Sequence, residues 1–261
     1  MKRFLALLLA ISALVAPAAS ASSARISADS FVAIDAASGR VLVARSAHER
    51  HPIASLTKVM TALLVIESGH LRAKVRVPRV ATSVEPSKDY LVAGRRYPRM
   101  LLLYSALLGS NNDAAAALGF VAGGGSLDRF YERMTTRARS LGMRNTTYRS
   151  ASGLNDLTNL STAYDQAILG RFALRNPLLA KIVRTWRKAF PTYGKAYVNH
   201  NKMLSWYPGT VGLKTGWTTA AGGCLATAVQ RRGRTVIAVV LGSDAIWVDM
   251  PRLVKRAFRA Y

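Results

Sequence analysis

Ser55 and Lys58 stand one helical turn apart in "HPIASLTKVMTALL" (51–64), where an apolar helix enters the core. A serine hydroxyl is a weak nucleophile at its ordinary pKa and needs a neighbouring base. Side chains three apart share a helix face, so Lys58 can reach Ser55. An ordinary lysine is protonated and cannot accept a proton, but burial and a nearby cation lower its pKa. Val59, Met60, Leu63 and Leu64 supply the burial, and the ammonium of Lys214 is available as the like charge. Taken alone, the pair also reads as a helix cap followed by a snorkelling lysine. A second polar group, Ser110-Asn111-Asn112, interrupts two apolar helices, and such a break can face a cleft. Ser110 suits a proton relay to a leaving group. Asn112 suits a hydrogen bond to a substrate amide or to Lys58; plain helix capping is the alternative. A third, Lys214-Thr215-Gly216, ends a strand whose edge can accept an extended peptide as an added strand. Lys214 and Thr215 suit a substrate carboxylate, and Gly216 allows close backbone approach. An ordinary exposed strand end is the plainer reading.

The elements that carry these groups follow from periodicity. "SFVAIDAASGRVLVARS" reads as two strands around a turn. Pro52 precedes the opening helix and Gly69 stops it. Residues 71–99, with Pro78, Pro86 and Pro98, read as loops and short strands. "RMLLLYSALLGSNNDAAAALGFVAG" reads as two buried helices broken at 109–112. An amphipathic helix follows Ser126 as its cap, and Thr162 with Asp165 suits a capping box for another. "TVGLKTGWT", "GGCLATAVQ" and "RTVIAVVLG" read as strands, the last two joined by the turn "RRGR", and "AIWVDMPRLVKRAFRAY" as a closing helix. Strands at both ends and helices between them predict an α+β fold, with one antiparallel sheet flanked by helices.

Length and composition bound the setting. The 261-residue chain opens "MKRFLALLLAISALVAPAASASS", with a basic start, a short apolar run and an A-x-A site at Ala19-Ser20-Ala21. This predicts a secretory signal peptide over 1–21, with an uncleaved anchor as the alternative. Residues 22–261 then form one large domain. The formal net charge is +24, and removal of Lys2 and Arg3 lowers it by only two. A field this strong attracts polyanions, and for an exported chain these are anionic cell-wall polymers or a membrane surface rather than nucleic acid. A solvated surface with no partner explains the charge equally well. Cys224, the single cysteine, cannot form an internal disulfide and sits in a strand pattern as a small core residue. The histidines His48, His51, His70 and His200 show no zinc-binding spacing, so no metal and no cofactor is expected.

S-x-x-K, S-x-N and K-T-G in this order are the signature of penicillin-recognising serine enzymes. The chain resembles the D-alanyl-D-alanine carboxypeptidase family, the low-molecular-mass penicillin-binding proteins. The resemblance runs from about Phe31 to Leu241 through "AIDAASGRVL", "HPIASLTKVMTALLV", "LLGSNNDAAAALG", "LGMRNTTY", "ASGLNDLTNLSTAYDQAILGR", "HNKML" and "PGTVGLKTGWTTAAGGCLATA". It implies a β-lactamase/transpeptidase-like fold with a helical subdomain and an exported protein of the bacterial periplasm or cell envelope. It implies that Ser55 is the acyl-ester nucleophile, Lys58 its proton acceptor, and that Ser110 and Asn112 complete the proton network. Lys214, Thr215 and Gly216 would bind the substrate carboxylate. The amides of Ser55 and Trp217 would form the oxyanion hole. The substrate would be a peptidoglycan stem peptide, and β-lactams would be covalent inhibitors.

Two departures bear on specificity. Many relatives carry His after K-T-G where this chain has Trp217, which leaves a backbone donor but no imidazole. Many also carry a C-terminal β domain and an amphipathic anchor, and with the sequence ending at Tyr261 neither is expected here. Shorter members include DD-endopeptidases that cut cross-links, so this activity stands as the alternative to carboxypeptidase. His200 either lines the site beside Lys214 or is a surface or core histidine. A β-lactamase needs a deacylating glutamate between the second and third motifs, and Glu132, the only one there, falls in the amphipathic helix. A non-catalytic cationic wall-binding protein has no use for a nucleophile–base pair.

Overall fold

The computed structural model describes residues 25–84, 86–154 and 158–261; the expected leader lies outside the described residues. The first half runs β1 (Ser30–Asp35), β2 (Val41–Arg45), β3 (His51–Pro52), a 3-10 turn at Ala54–Leu56, α1 (Thr57–Glu67), β4 (Lys74–Arg76), α2 (Arg79–Thr82), β5 (Arg96–Pro98), α3 (Arg99–Leu107), α4 (Asn112–Ala122) and α5 (Leu127–Ser140). The second runs β6 (Leu160–Ser161), α6 (Ala163–Arg175), α7 (Pro177–Arg184), β7 (Arg187–Phe190), β8 (Lys195–Val198), α8 (Met203–Trp206), β9 (Thr210–Thr218), β10 (Gly222–Arg231), β11 (Arg234–Ser243) and α9 (Ile246–Arg259).

The main sheet has the order β2-β1-β11-β10-β9, and every neighbouring pair is antiparallel. Strands from the two ends of the chain therefore lie side by side, as the patterns predict. Successive side chains on a strand point to opposite faces. On β11, Ile237, Val239 and Leu241 join the core under the helices, while Val236, Ala238 and Val240 face α9. Both faces are covered, which is why these strands read as continuous apolar runs. Cys224 is buried in β10 on the helical side, as expected.

The helix signals hold with two adjustments. Ser126 Oγ accepts from the Arg129 amide at 3.2 Å, the cap expected of it. Thr162 caps α6 by accepting from the Asp165 amide, but the Asp165 carboxylate does not reach back. It accepts instead from the Asn145 amide and the Thr146 hydroxyl, because a buried carboxylate serves donors from another loop better than one already in its own turn. The region 71–99 holds the short helix α2 as well as strands.

The chain ends are tied together by Asp249 in the first turn of α9. Its buried carboxylate accepts from the Ser27 and Ala28 amides, from Ser27 Oγ at 2.6 Å and from Ser243 Oγ at 2.7 Å. Burial opposes its ionisation, but these donors outweigh that and hold the carboxyl below its ordinary value. Asp249→Ala is expected to destabilise the fold by about 3 kcal/mol, because several buried donors lose their acceptor. Thermal unfolding should show a fall of roughly 6–12 °C, on about 2–4 °C per kcal/mol for a domain of this size. The carboxylate's contribution is present above the unfolded pKa and is lost as pH falls through the lower folded value.

Candidate active site

The 3-10 turn carries Ser55 and leads directly into α1, which carries Lys58. The helix is apolar on nearly every side, and the Lys58 side chain is fully buried within it. Lys58 Nζ lies 2.7 Å from each of three oxygens: Ser55 Oγ, Asn112 Oδ1 and the Ser152 carbonyl. The Asn112 amide has a defined orientation, because its Nδ2 donates to the Pro86 carbonyl. Its oxygen therefore faces the lysine. The carbonyl oxygens of Asn112 and Ser152 accept hydrogens and offer none. A neutral amine would direct its two N–H groups to these carbonyls and leave its lone pair facing the Ser55 hydroxyl. Burial, and next the positive charge of Lys214, push Lys58 well below the ordinary lysine range of 10.5.

Asn112 is the first residue of α4, not part of the break before it. Ser110 lies in the break with φ 59°, and Ala54, just before Ser55, has φ 45°. Left-handed backbone is uncommon outside glycine and persists where surroundings impose it. At Ser110 the surroundings are the Asn111 amide and side chain bonded to Ser105, and Lys214 Nζ bonded to Ser110 Oγ at 3.0 Å. Ser105 in turn donates to Asp89, which also accepts from Tyr197 of β8 and pairs with Lys195 at 2.9 Å. The β7–β8 hairpin thus stands behind the serine turn. Nothing in its residue pattern announces this.

Lys214 is 1 % exposed, and burial pushes its pKa down to about 7. It also donates to the Thr215 carbonyl at 2.9 Å. Gly216 packs against the nucleophile turn: a Cβ there would lie 3.0 Å from the Ser55 nitrogen and 3.1 Å from the Ile53 carbonyl oxygen. The room that the sequence assigns to a substrate backbone is thus used by the Ser55 backbone, which approaches the strand directly. Trp217, the next residue, is 70 % exposed. His200 is exposed, its amide bonded to the Leu108 carbonyl just before the serine turn. Partial desolvation, then the charges of Lys214, Lys58 and Lys202, lower its pKa. Glu132 is exposed on α5, and among the described residues no glutamate bonds to the cluster. Among the described residues no group of His, Cys, Asp and Glu is arranged to hold a metal ion.

Residues 150–154 and 158–159 form the part that motif reading missed. Besides the Ser152 carbonyl on Lys58, the Ala151 carbonyl accepts from Thr61, and Asn159 Nδ2 donates to Thr57. Gly153, at φ 88°, lies so close that a Cβ would sit 1.8 Å from the Ala54 carbonyl oxygen. Its glycine is a backbone requirement.

A hydroxyl, a buried amine of lowered pKa, a second hydroxyl–amine pair and a strand edge on one face define a serine acyl-transfer site. The family model described as D-alanyl-D-alanine carboxypeptidase matches residues 17–245, and the chain belongs to that family. It is 34% identical over 226 residues to the D-alanyl-D-alanine carboxypeptidase DacF of Bacillus subtilis, covering 83% of this chain and 58% of that protein. It is 31% identical over 249 residues to a D-alanyl-D-alanine endopeptidase of Escherichia coli, covering 91% of this chain and 79% of that protein. A crystal structure of a D-alanyl-D-alanine carboxypeptidase from Mycobacterium tuberculosis superposes with a TM-score of 0.84 at 32% identity, covering 92% of this chain and 95% of that one. The fold is therefore the transpeptidase-like α+β fold of these DD-peptidases.

Proposed function

We propose that the chain is a serine D-Ala-D-Ala carboxypeptidase that trims peptidoglycan stem peptides in the bacterial periplasm or envelope, after export through the leader at 1–21. The observation that carries the mechanism is the environment of Lys58, a buried amine with two carbonyl acceptors and one hydroxyl around it. Ser55 Oγ attacks the carbonyl between the two terminal D-alanines while Lys58 takes its proton. The Ser55 and Trp217 amides stabilise the oxyanion. The C–N bond breaks, the departing amine receives a proton through Ser110, and D-alanine leaves. Water then adds to the acyl–Ser55 ester, Oγ regains its proton, and the shortened peptide is released. Lys214 and Thr215 hold the terminal carboxylate, and Gly216 brings strand β9 against the nucleophile. A β-lactam enters the same first step and remains as an acyl-enzyme. The test is incubation with a fluorescent penicillin and mapping of the adduct, alongside D-alanine release from a pentapeptide. An adduct on Ser55 with D-alanine release is expected; an unmodified Ser55 overturns the reading.

The endopeptidase reading is favoured by the match to the Escherichia coli protein of that name. It predicts faster cleavage of a cross-linked peptide dimer than of the pentapeptide, measured side by side.

The two lysines also predict a bell-shaped pH profile. The productive form has Lys58 neutral, to accept the proton, and Lys214 charged, to bind the carboxylate. Acidification protonates Lys58, so kcat/KM falls at low pH. Deprotonation of Lys214, whose pKa is about 7, lowers kcat/KM above neutrality. A bound carboxylate favours the Lys214 ammonium, so the alkaline limb of kcat should lie above that of kcat/KM. The two limbs belong to the coupled pair rather than to either residue alone.

A further inference from the structure

A hollow of about 640 Å³ opens at the end of the sheet remote from Ser55, lined by Arg40, Arg171, Arg175, Arg184 and Arg234 against one acidic side chain, Asp35. We propose that this hollow binds the phosphate groups of an acidic polymer, a chain of phosphodiester-linked units, and so tethers the protein with its active site free. That the polymer belongs to the cell envelope rests on the proposed export; the phosphate chemistry does not.

The position follows from strand direction. Val211 of β9 lines the hollow, and Gly216 of the same strand packs on the Ser55 turn. At about 3.4 Å per residue the two are roughly 17 Å apart along the strand. The floor is apolar, with Leu174, Val211 and Ile237.

Four of the five arginines are available. Asp35 is engaged elsewhere, accepting from the amide and hydroxyl of Ser38 and from Tyr261, and it pairs with none of the five. Arg171 is committed to bracing the turn after β1, donating to the Ala36 and Ala37 carbonyls. Arg234 lies over the Tyr261 ring at 4.5 Å, a contact that orients a guanidinium without neutralising it. Arg40, Arg175, Arg184 and Arg234 are exposed, and among the described residues none has an acidic partner. Unpaired guanidiniums crowded round one hollow raise its affinity for anions.

Shape selects the ligand. The four come from the β1–β2 turn, α6, α7 and β11, and so approach the hollow from different sides. A tetrahedral phosphate accepts hydrogen bonds from several directions, whereas a carboxylate offers two oxygens in one plane. A second hollow shares Arg234 and Tyr261 and adds Arg231 and Arg232, and a third shares Ala180 and Arg184 and adds Lys181. A track of this kind suits a chain with repeated charges. A flat bilayer cannot bring its headgroups into a recess, and no large exposed apolar side chain lines this one to enter a membrane.

The test uses the mature full-length protein and a poly(glycerol phosphate) probe, with binding read by thermophoresis. The variant Arg40→Gln/Arg175→Gln/Arg184→Gln/Arg234→Gln should weaken binding by about tenfold or more. A charge-matched control away from the hollow, Arg72→Gln/Arg76→Gln/Arg139→Gln/Arg144→Gln, should weaken it by less than about twofold, because distant exposed charges are screened. Inorganic phosphate should compete better than chloride at equal ionic strength. Equal losses in the two variants overturn the proposal in favour of diffuse charge. Tighter binding to phosphatidylglycerol vesicles, or equal binding to polygalacturonate, overturns it in favour of a membrane or of any polyanion. Penicillin labelling is measured in parallel. It should be unchanged in both variants, and its absence from the wild type would count against the peptidase reading and not against the hollow.

Discussion

Ser55→Ala is expected to abolish covalent penicillin labelling, and Lys58→Met to slow acylation by about 10³- to 10⁴-fold while the protein stays folded. Removing the hydroxyl removes the atom that forms the ester, so no slower route to that adduct remains. Removing the amine leaves the nucleophile in place but without its base. Loss of a positioned base costs about 10²- to 10⁴-fold, and the upper part of the range applies to a base that is fully buried and 2.7 Å from the nucleophile. Methionine is chosen because it fills the volume of the lysine stem. The Asn112 and Ser152 carbonyls lose their donor, which is destabilising. The same substitution removes a buried ionisable group, which offsets part of that loss. Lys58→Arg separates charge from basicity, since arginine stays protonated and cannot act as the base. It should therefore be as inactive as methionine. The measurement is the second-order acylation rate constant across pH. Retention of more than about a tenth of the wild-type rate in Lys58→Met would exclude Lys58 as the proton acceptor.

Gly153→Ala should cost about 3 kcal/mol or more and impair acylation together with stability. The added methyl would lie 1.8 Å from the Ala54 carbonyl oxygen and 2.3 Å from its carbon, both backbone atoms. Left-handed backbone accounts for about 1 kcal/mol of the cost, and overlap in a packed interior for about 1–3 more. The obvious relief is movement of the Ala54–Ser55 turn, which displaces the nucleophile from Lys58. Gly142→Ala is the matched control. Gly142 has the same φ of 88°, but nothing lies within 4 Å of its Cβ position. It should lose only the backbone part and label normally. Calorimetry should give a drop in melting temperature of roughly 6–12 °C for Gly153→Ala and about a third of that for Gly142→Ala. Equal drops would mean that the contact with Ala54 carries no weight.

How much of this was legible in the residues differs from element to element. Serine and lysine three apart on an apolar helix can be read directly, because helical periodicity is a local property. So can the serine turn between two helices and the lysine on its strand, although Asn112 opens α4 instead of closing the break and the strand runs two residues past Gly216 to Thr218. The sheet was legible for a related reason. Strands buried on both faces favour near-continuous apolar runs, and β11, with β10 interrupted only by Thr227 between Cys224 and Val229, supplies them. The sequence by itself therefore determined the three motifs and most of the elements that carry them.

Tertiary structure decided how those groups are held. The Ser152 carbonyl meets Lys58 across 94 residues of chain, and a backbone oxygen has no residue type to betray it. The oxygen of Asn112 faces Lys58 because the Pro86 carbonyl takes its amide hydrogen, a choice invisible in the motif S-x-N. Gly216 was read as room for a ligand and serves as the seat of the Ser55 turn, because an open glycine says that something approaches and not what. The depressed pKa of Lys58 belongs to the same class. Its cause is burial with Lys214 nearby, and that proximity exists only once the turn that opens α1, in the first quarter of the chain, packs against a strand from the last.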